Sequence, residues 1–153
     1  MLRALCSGRC FGALVDAART FEPGDCAAEA LARLLVVFCA DAAQSVKAAD
    51  LLLRDGNLSL VLLDLQCVLP AQLRRIPANT WHRFQRLAEQ TTAAFVVFTP
   101  EPFIESAQGR ITSAHTWTLT AQRRRRRELL AAAHWRVFPR RASLLRESQH
   151  ATA

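Results

Sequence analysis

Four short runs of uninterrupted apolar residues, separated by segments with helical character, constrain the fold of this 153-residue chain more than any other feature. The runs occupy residues 11–15, Leu34–Phe38, residues 60–63 and Ala94–Phe98. Strands that alternate apolar and polar residues bury one face, whereas continuously apolar strands are covered on both faces, as in parallel sheets. We therefore predict four buried strands. A further segment, residues 111–119, alternates and is typical of a half-exposed or edge strand.

Two helices are predicted between these strands. Asp41 and Gln44 have the spacing of a capping box, an apolar stripe follows them, and Gly56 provides a stop signal. A second amphipathic segment covers residues 79–90. Because strands that alternate with helices form parallel sheets through right-handed crossovers, the sequence predicts an α/β fold, with a parallel sheet and flanking helices on both of its faces.

The net charge of +7 is concentrated at one end of the chain. Residues 1–121 carry eleven basic and eleven acidic side chains, which cancel, whereas residues 122–153 carry nine arginines against Glu128 and Glu147. We therefore divide the chain into an α/β core, residues 1–121, and a basic C-terminal helical segment or tail, residues 122–153. Such a segment either binds an anion, most often nucleic acid, or is a solvated arm without a fixed partner, and the charge alone leaves both interpretations open.

A run of adjacent arginines near the start of the basic segment is a candidate DNA contact: Arg123, Arg124, Arg125, Arg126 and Arg127. The apolar residues Leu129, Leu130, Trp135 and Val137 follow, and we interpret the whole stretch as a basic, partly amphipathic helix. Adjacent arginines point in different directions around a helix. They therefore favour non-specific attraction to phosphates over the reading of one specific groove.

The cysteines and the lengths of the apolar runs argue against several other classes of protein. The five cysteines have neither C-x-x-C spacing nor histidines at zinc-ligand spacing, so we interpret them as buried, reduced thiols. Charged residues interrupt the longest apolar runs before ~18 residues, which argues against a transmembrane helix. The N-terminal stretch is interrupted by Arg9 and ends at Asp16, unlike a secretory signal, so the cytoplasm is the expected location.

Two of the predicted strands end in an aspartate, and their order along the chain resembles that of a known family. Residues 60–64 read LVLLD and end in Asp64, which suits either a Mg²⁺ site or an ordinary turn or helix cap. Upstream, the sequence ALVDA contains Asp16 and is followed by FEP at residues 21–23. This pattern resembles the RecA recombinase family, in which a strand ending in Ile-Asp-Ala-Glu precedes a Leu-Asp-Pro turn. The resemblance covers about residues 1–120.

The resemblance implies a RecA-like sheet that lacks the residues needed to bind and hydrolyse ATP. A P-loop reads G-x-x-x-x-G-K-[S/T], but the single lysine, Lys47, lies within a predicted helix and follows a valine. We expect the chain to begin after the phosphate site. Ala18 occupies the position of the family's catalytic glutamate, and Thr99 lies near that of its γ-phosphate-sensing glutamine. Asp64 is then a degenerate metal-binding residue, and we expect no catalytic residue, bound metal or cofactor.

Two loops hold single-stranded DNA in the RecA family, and the resemblance implies counterparts at residues 66–76 and 99–110. The first contains Arg74 and Arg75, and the second contains Phe103. Arginines and a base-stacking aromatic ring suit a single-strand groove, whereas two glutamates in the second loop oppose one. The alternative is a pair of ordinary surface loops.

Within this family, the chain is most similar to the degenerate RecA-like accessory proteins of translesion synthesis, the ImuA type. This similarity implies a non-catalytic role in DNA repair or SOS mutagenesis, beside a Y-family polymerase and with DNA bound through the basic segment. The alternative is a truncated interaction module or gene remnant with no independent activity. An exposed apolar surface around Leu2, Leu5 and Phe11 would favour a homo-oligomer.

The missing phosphate-binding residues generate the first testable prediction. Because the sequence has neither a Gly-Lys pair nor a glutamate at position 18, we expect no binding of Mg-ATP in the micromolar range. Isothermal titration calorimetry measures this directly. A clear binding isotherm in that range would mean that other residues of the chain hold the phosphates.

Overall fold

The computed structural model describes residues 10–113, 118, 120, 128, 129 and 133–139. The chain divides into two compact units, Met1–Ser106 and Ala107–Ala153, each of which contains its own sheet. The predicted boundary between residues 121 and 122 lies outside the described residues. Leu2, Leu5 and the arginine run at residues 123–127 also lie outside them.

All four apolar runs form strands of one parallel sheet, as predicted. The strands are β1 (Gly12–Asp16), β2 (Leu34–Phe38), β3 (Leu60–Asp64) and β4 (Ala94–Phe98). Their order across the sheet is β2-β1-β3-β4, and every neighbouring pair is parallel. β1 and β3 each extend one residue beyond the predicted run and so end on an aspartate. The fold class is therefore α/β, with a parallel sheet and flanking helices.

The position of each strand in the sheet decides how deeply its side chains are buried. β1 and β3 occupy the centre, where Val15, Val61 and Leu63 are fully buried. β2 and β4 form the edges, and Leu35 and Phe38 of β2 are each 51% exposed. An edge strand has a neighbour on one side only, so its side chains are covered less well than those of a central strand with similar composition.

Helices lie on both faces of the sheet, as predicted. Two long helices cover one face, α2 (Ala42–Asp55) and α4 (Ala78–Thr91), and their ranges match the predicted helices closely. A short helix, α1 (Ala28–Leu31), packs on the opposite face, where its Ala30 joins the core residues of β1 and β3. A one-turn helix, α3 (Pro70–Leu73), follows β3. No helix among the described residues is long and apolar enough to cross a membrane.

The predicted capping signals of α2 are confirmed at both ends. The Asp41 carboxylate accepts a hydrogen bond from the Gln44 backbone N–H at 2.7 Å. The Gln44 side chain in turn accepts one from the backbone N–H of Ala40 at 3.2 Å, so two unpaired donors at the helix start are satisfied. Gly56 ends the helix with a left-handed φ of 72°, a conformation that glycine adopts without steric cost.

Aromatic packing and an ion pair fix α4 in position. The buried ring of Phe84 meets the Phe95 ring of β4 edge to face, at a centroid distance of 5.2 Å. Such contacts add to the free energy gained by burying the rings. Arg83 Nε lies 3.0 Å from Asp50 Oδ1, and Arg54 Nε lies 2.9 Å from the other oxygen. Asp50 therefore links α2 to α4.

The second unit contains a two-stranded antiparallel sheet of β5 (Gly109–Ser113) and β6 (Trp135–Pro139). β5 begins two residues before the fifth predicted strand region and overlaps it at residues 111–113, and Ile111 is 66% exposed. The interpretation of Trp135 and Val137 as part of a helix was wrong, because both lie in β6. Residues 135–139 are rich in aromatic and β-branched side chains, which favour strands, and Val137 has a cross-strand partner in Ile111.

The burial of Phe84 generates a prediction about stability. Replacing Phe84 with alanine should lower the free energy of unfolding by about 3–5 kcal/mol, because it removes a fully buried ring and leaves a cavity. The control is Phe98→Ala, since Phe98 is 39% exposed, and its cost should stay below about 1.5 kcal/mol. Urea denaturation followed by circular dichroism measures both. Equal losses for the two variants would contradict the described core.

Candidate functional site

The carboxyl ends of the four parallel strands meet at one edge of the first sheet, which is where α/β folds place ligand sites. β1 and β3 are neighbours there, and Asp16 lies opposite Asp64 in the register of the two strands. The two aspartates selected from the sequence are therefore brought to the same edge. The loops that follow β3 and β4 leave from this edge as well.

Asp16 is fully buried, and both of its carboxylate oxygens accept backbone hydrogen bonds. Oδ1 accepts from the N–H of Ala18 at 2.9 Å, and Oδ2 accepts from the N–H of Phe21 at 2.8 Å. These bonds fold the chain back after β1 and compensate the buried carboxylate for the water that it has lost. The carboxylate of Asp16 therefore serves to hold the loop that follows its strand.

Asp64 has a different environment at the end of β3. It is half-buried, and Oδ1 accepts one hydrogen bond from the backbone N–H of Gln66 at 2.9 Å. Burial raises the pKa of the Asp64 carboxyl above its ordinary value of 3.8, the bond from Gln66 opposes this rise, and the nearby charge of Asp16 adds to it. Asp64 consequently holds its negative charge less readily than an exposed aspartate.

Ala18 and Thr99, which the resemblance aligns with the family's catalytic glutamate and phosphate-sensing glutamine, carry no acidic or basic side chain. Ala18 donates its backbone N–H to Asp16, and its methyl side chain is exposed. The Thr99 hydroxyl donates to the carbonyl of Glu101 at 2.8 Å. In the part of the chain that the structure describes, no three His, Cys, Asp or Glu side chains form a group able to hold a metal ion.

A cleft of about 240 Å³ lies where the loops that follow β3 and β4 approach α4. Arg74 from the first loop and Phe103 from the second both line it. Arg74 caps α3, and its backbone N–H donates to the Pro70 carbonyl at 3.0 Å. The cleft is smaller than the roughly 300–1,000 Å³ of most small-molecule pockets, so it suits a single base or side chain better than a large ligand.

The walls of this cleft combine aromatic and charged groups. Trp81 is buried, and its ring meets the Phe103 ring edge to face at 5.5 Å and 75°. This contact fixes the orientation of Phe103. The exposed side chains of Arg74, His82 and Glu105 also line the cleft, so it combines a basic and an acidic side chain.

The sequence predictions named part of this cleft and missed part of it. Arg74 and Phe103 are brought together, whereas Arg75 is exposed and does not line the cleft. Trp81 and His82 lie in the amphipathic segment predicted over residues 79–90, and the pattern of that segment indicates a helix and nothing more. A Leu-Pro pair at residues 69–70 was the available signal for α3, because proline favours the first position of a helix.

The arginines predicted to bind DNA at residues 123–127 lie outside the described residues, so their role remains a prediction. Comparison of the sequence with protein-family models and with curated proteins gives no match.

The raised pKa of Asp64 generates a prediction about pH. A carboxyl whose pKa is higher in the folded state costs stability above that pKa, and this cost vanishes below the ordinary value of 3.8. Asp64→Asn keeps an oxygen for the Gln66 N–H and removes the charge. The variant should therefore be more stable than the wild type at neutral pH, with a difference that shrinks as the pH falls and disappears below 3.8. Urea denaturation at a series of pH values measures it.

Asp16→Asn is the matched control, with the opposite expected sign. The asparagine amide would place a donor against the N–H of Ala18 or Phe21, so stability should fall by about 1–3 kcal/mol at neutral pH. A loss of stability in Asp64→Asn, or none in Asp16→Asn, would contradict the described difference between the two carboxylates.

Proposed function

We propose that the chain is a non-catalytic, RecA-like accessory protein of DNA repair or SOS mutagenesis that contacts single-stranded DNA at the carboxyl edge of its sheet. The observation that carries this proposal is that Arg74 and Phe103 line the same cleft. They come from the two segments that the resemblance identifies as DNA-holding loops. An arginine beside an aromatic ring suits the backbone and a base of a single strand.

The arrangement of the strands supports the RecA-like part of the proposal. The resemblance rests on two aspartate-ending strands in a fixed order along the chain, and in the folded sheet these strands are neighbours. Asp16 and Asp64 lie opposite each other at the carboxyl edge. In a RecA-like ATPase, this edge is where the residues that hold Mg²⁺ and activate water come together.

The chemistry of this edge favours binding over catalysis. Both oxygens of Asp16 accept backbone hydrogen bonds, and Ala18 has no group that could take a proton from water. Lys47 is exposed within α2 rather than at a loop that could surround phosphates. The proposal therefore assigns no catalytic residue.

The charges of the two regions suggest a division of roles in DNA binding. The positive charge of Arg74 in the cleft is offset by the negative charge of Glu105. The cleft would therefore orient a bound DNA strand more than it would attract one. The net charge of +7 belongs to residues 122–153, which would provide most of the affinity for phosphates. The ImuA-type resemblance further proposes a Y-family polymerase complex as the protein partner, and a polymerase gene beside this one would support that pathway.

Fluorescence anisotropy of a labelled, short single-stranded oligonucleotide tests the proposal at several salt concentrations. Replacing all five arginines at residues 123–127 with glutamine should weaken binding. It should also reduce the salt slope by about 0.7 for each arginine that contacts a phosphate. Arg74→Gln should have a smaller effect on both quantities, because it removes a single charge.

Lys47→Gln is the matched control, since it also removes one exposed positive charge, outside the cleft. Its binding should equal that of the wild type. If the wild type binds no oligonucleotide at low salt, the DNA-binding proposal fails and the alternative of a protein-interaction module stands. If the five-arginine variant has the wild-type affinity and slope, the basic segment is a solvated arm.

A further inference from the structure

The outer edge of β4 carries backbone groups that pair with no strand in the described part of the chain. Ala94 donates its N–H to the carbonyl of Ser59, and Phe98 accepts from the N–H of Leu65, so both face β3. In a parallel ladder, alternate residues face opposite sides. The N–H and C=O groups of Phe95 and Val97 therefore point away from the sheet.

Among the described residues, β4 itself carries neither the charges nor the proline that usually prevent edge-to-edge pairing. No charged residue lies between Glu89 and Glu101, and β4 itself consists of alanine, phenylalanine and valine. Natural edge strands are commonly protected by lysine, proline or a bulge. An uncharged edge segment with high β-propensity instead pairs readily with a strand of another chain.

Two arginines lie near the ends of β2, which forms the opposite edge of the sheet. The Arg19 guanidinium lies over the Phe38 ring at 5.8 Å, and that of Arg33 lies over the Phe11 ring at 5.3 Å. If two copies paired antiparallel along β2, Phe38 of one would lie near Leu34 of the other. The pairing would then bring Arg19 of one copy close to Arg33 of the other. Charge repulsion therefore disfavours the β2 edge and leaves β4.

We propose that β4 is a self-association edge, at which a second copy of the chain adds its own β4 in antiparallel orientation about Val96. In this register Phe95 lies opposite Val97 of the second copy, and the two exchange both of their backbone hydrogen bonds. Val96 faces its own counterpart across the two-fold axis. Aromatic–β-branched and β-branched pairs of this kind stabilise antiparallel strands.

A second copy fits this edge because the edge is complementary to itself. The two residues whose backbone groups point away from β3, Phe95 and Val97, are equally spaced about Val96, as an isologous contact requires. The same register keeps Glu101 of one copy opposite Thr91 of the other, so no like charges meet. A five-residue strand forms a small interface. Dimerisation should consequently be weak and depend on protein concentration.

Paired charge substitutions test both the edge and its register. Ala94 and Phe98 have exposed side chains, and the proposed register sets position 94 of one copy opposite position 98 of the other. The double variant Ala94→Lys with Phe98→Lys should weaken dimerisation about tenfold, because two pairs of like charges face each other. The variant Ala94→Glu with Phe98→Lys places opposite charges at the same positions and should restore it.

Sedimentation equilibrium over a range of concentrations measures the dimerisation constant of each chain at low ionic strength. High salt should reduce the difference between the two variants, because it screens the charges. In parallel, amide hydrogen exchange at Phe95 and Val97 should slow as the wild-type concentration rises. A wild type that stays monomeric, a Lys/Lys variant that dimerises like the wild type, or a Glu/Lys variant that does not recover would each overturn the proposal.

Discussion

The pairing of β1 with β3 is the interaction on which the rest of the first unit depends. The two strands are in register from Gly12 opposite Leu60 to Asp16 opposite Asp64, and they form the centre of the sheet. Their apolar side chains point to both faces, and burying each one contributes roughly 1.5–3 kcal/mol. Because both faces of this pair must be removed from water, helices are needed on either side. α2 and α4 cover one face, and α1 contributes to covering the other.

The same register determines the chemistry of the carboxyl edge. Asp16 and Asp64 end neighbouring strands at the same level, yet they have different hydrogen-bond partners. Two backbone N–H groups converge on Asp16, whereas Asp64 accepts one. The two donors compensate the buried Asp16 carboxylate for lost water, and at Asp64 burial raises the pKa against the opposing bond from Gln66. The sheet therefore places Asp16 and Asp64 side by side, and the loops that follow β1 and β3 give the two carboxylates different hydrogen-bond partners.

β4 connects the two proposals made for this protein. Its carboxyl end leads into the loop that carries Phe103, and at its outer edge the backbone groups of Phe95 and Val97 point away from β3. In an antiparallel dimer about Val96, the carboxyl edges of the two sheets would point in opposite directions. The two clefts would then lie at opposite ends of the joined sheet, so self-association would leave both accessible to a single strand of DNA.

The sequence by itself determined the elements of the sheet and the ends of its long helices, because those features depend on neighbouring residues. Apolar runs, the capping pair of Asp41 and Gln44, and Gly56 are local signals, and each corresponds to a described element. The helix predicted around Trp135 and Val137 was wrong, because the apolar and arginine residues there suited either a helix or a strand. Pairing with β5 makes this segment the strand β6. Only the tertiary structure decided the strand order, the placement of Arg74 and Phe103 in the same cleft, and the unequal environments of the two aspartates. Those properties depend on contacts between residues far apart in the chain, and the spacing of residues in a sequence does not specify which distant segments will pack together.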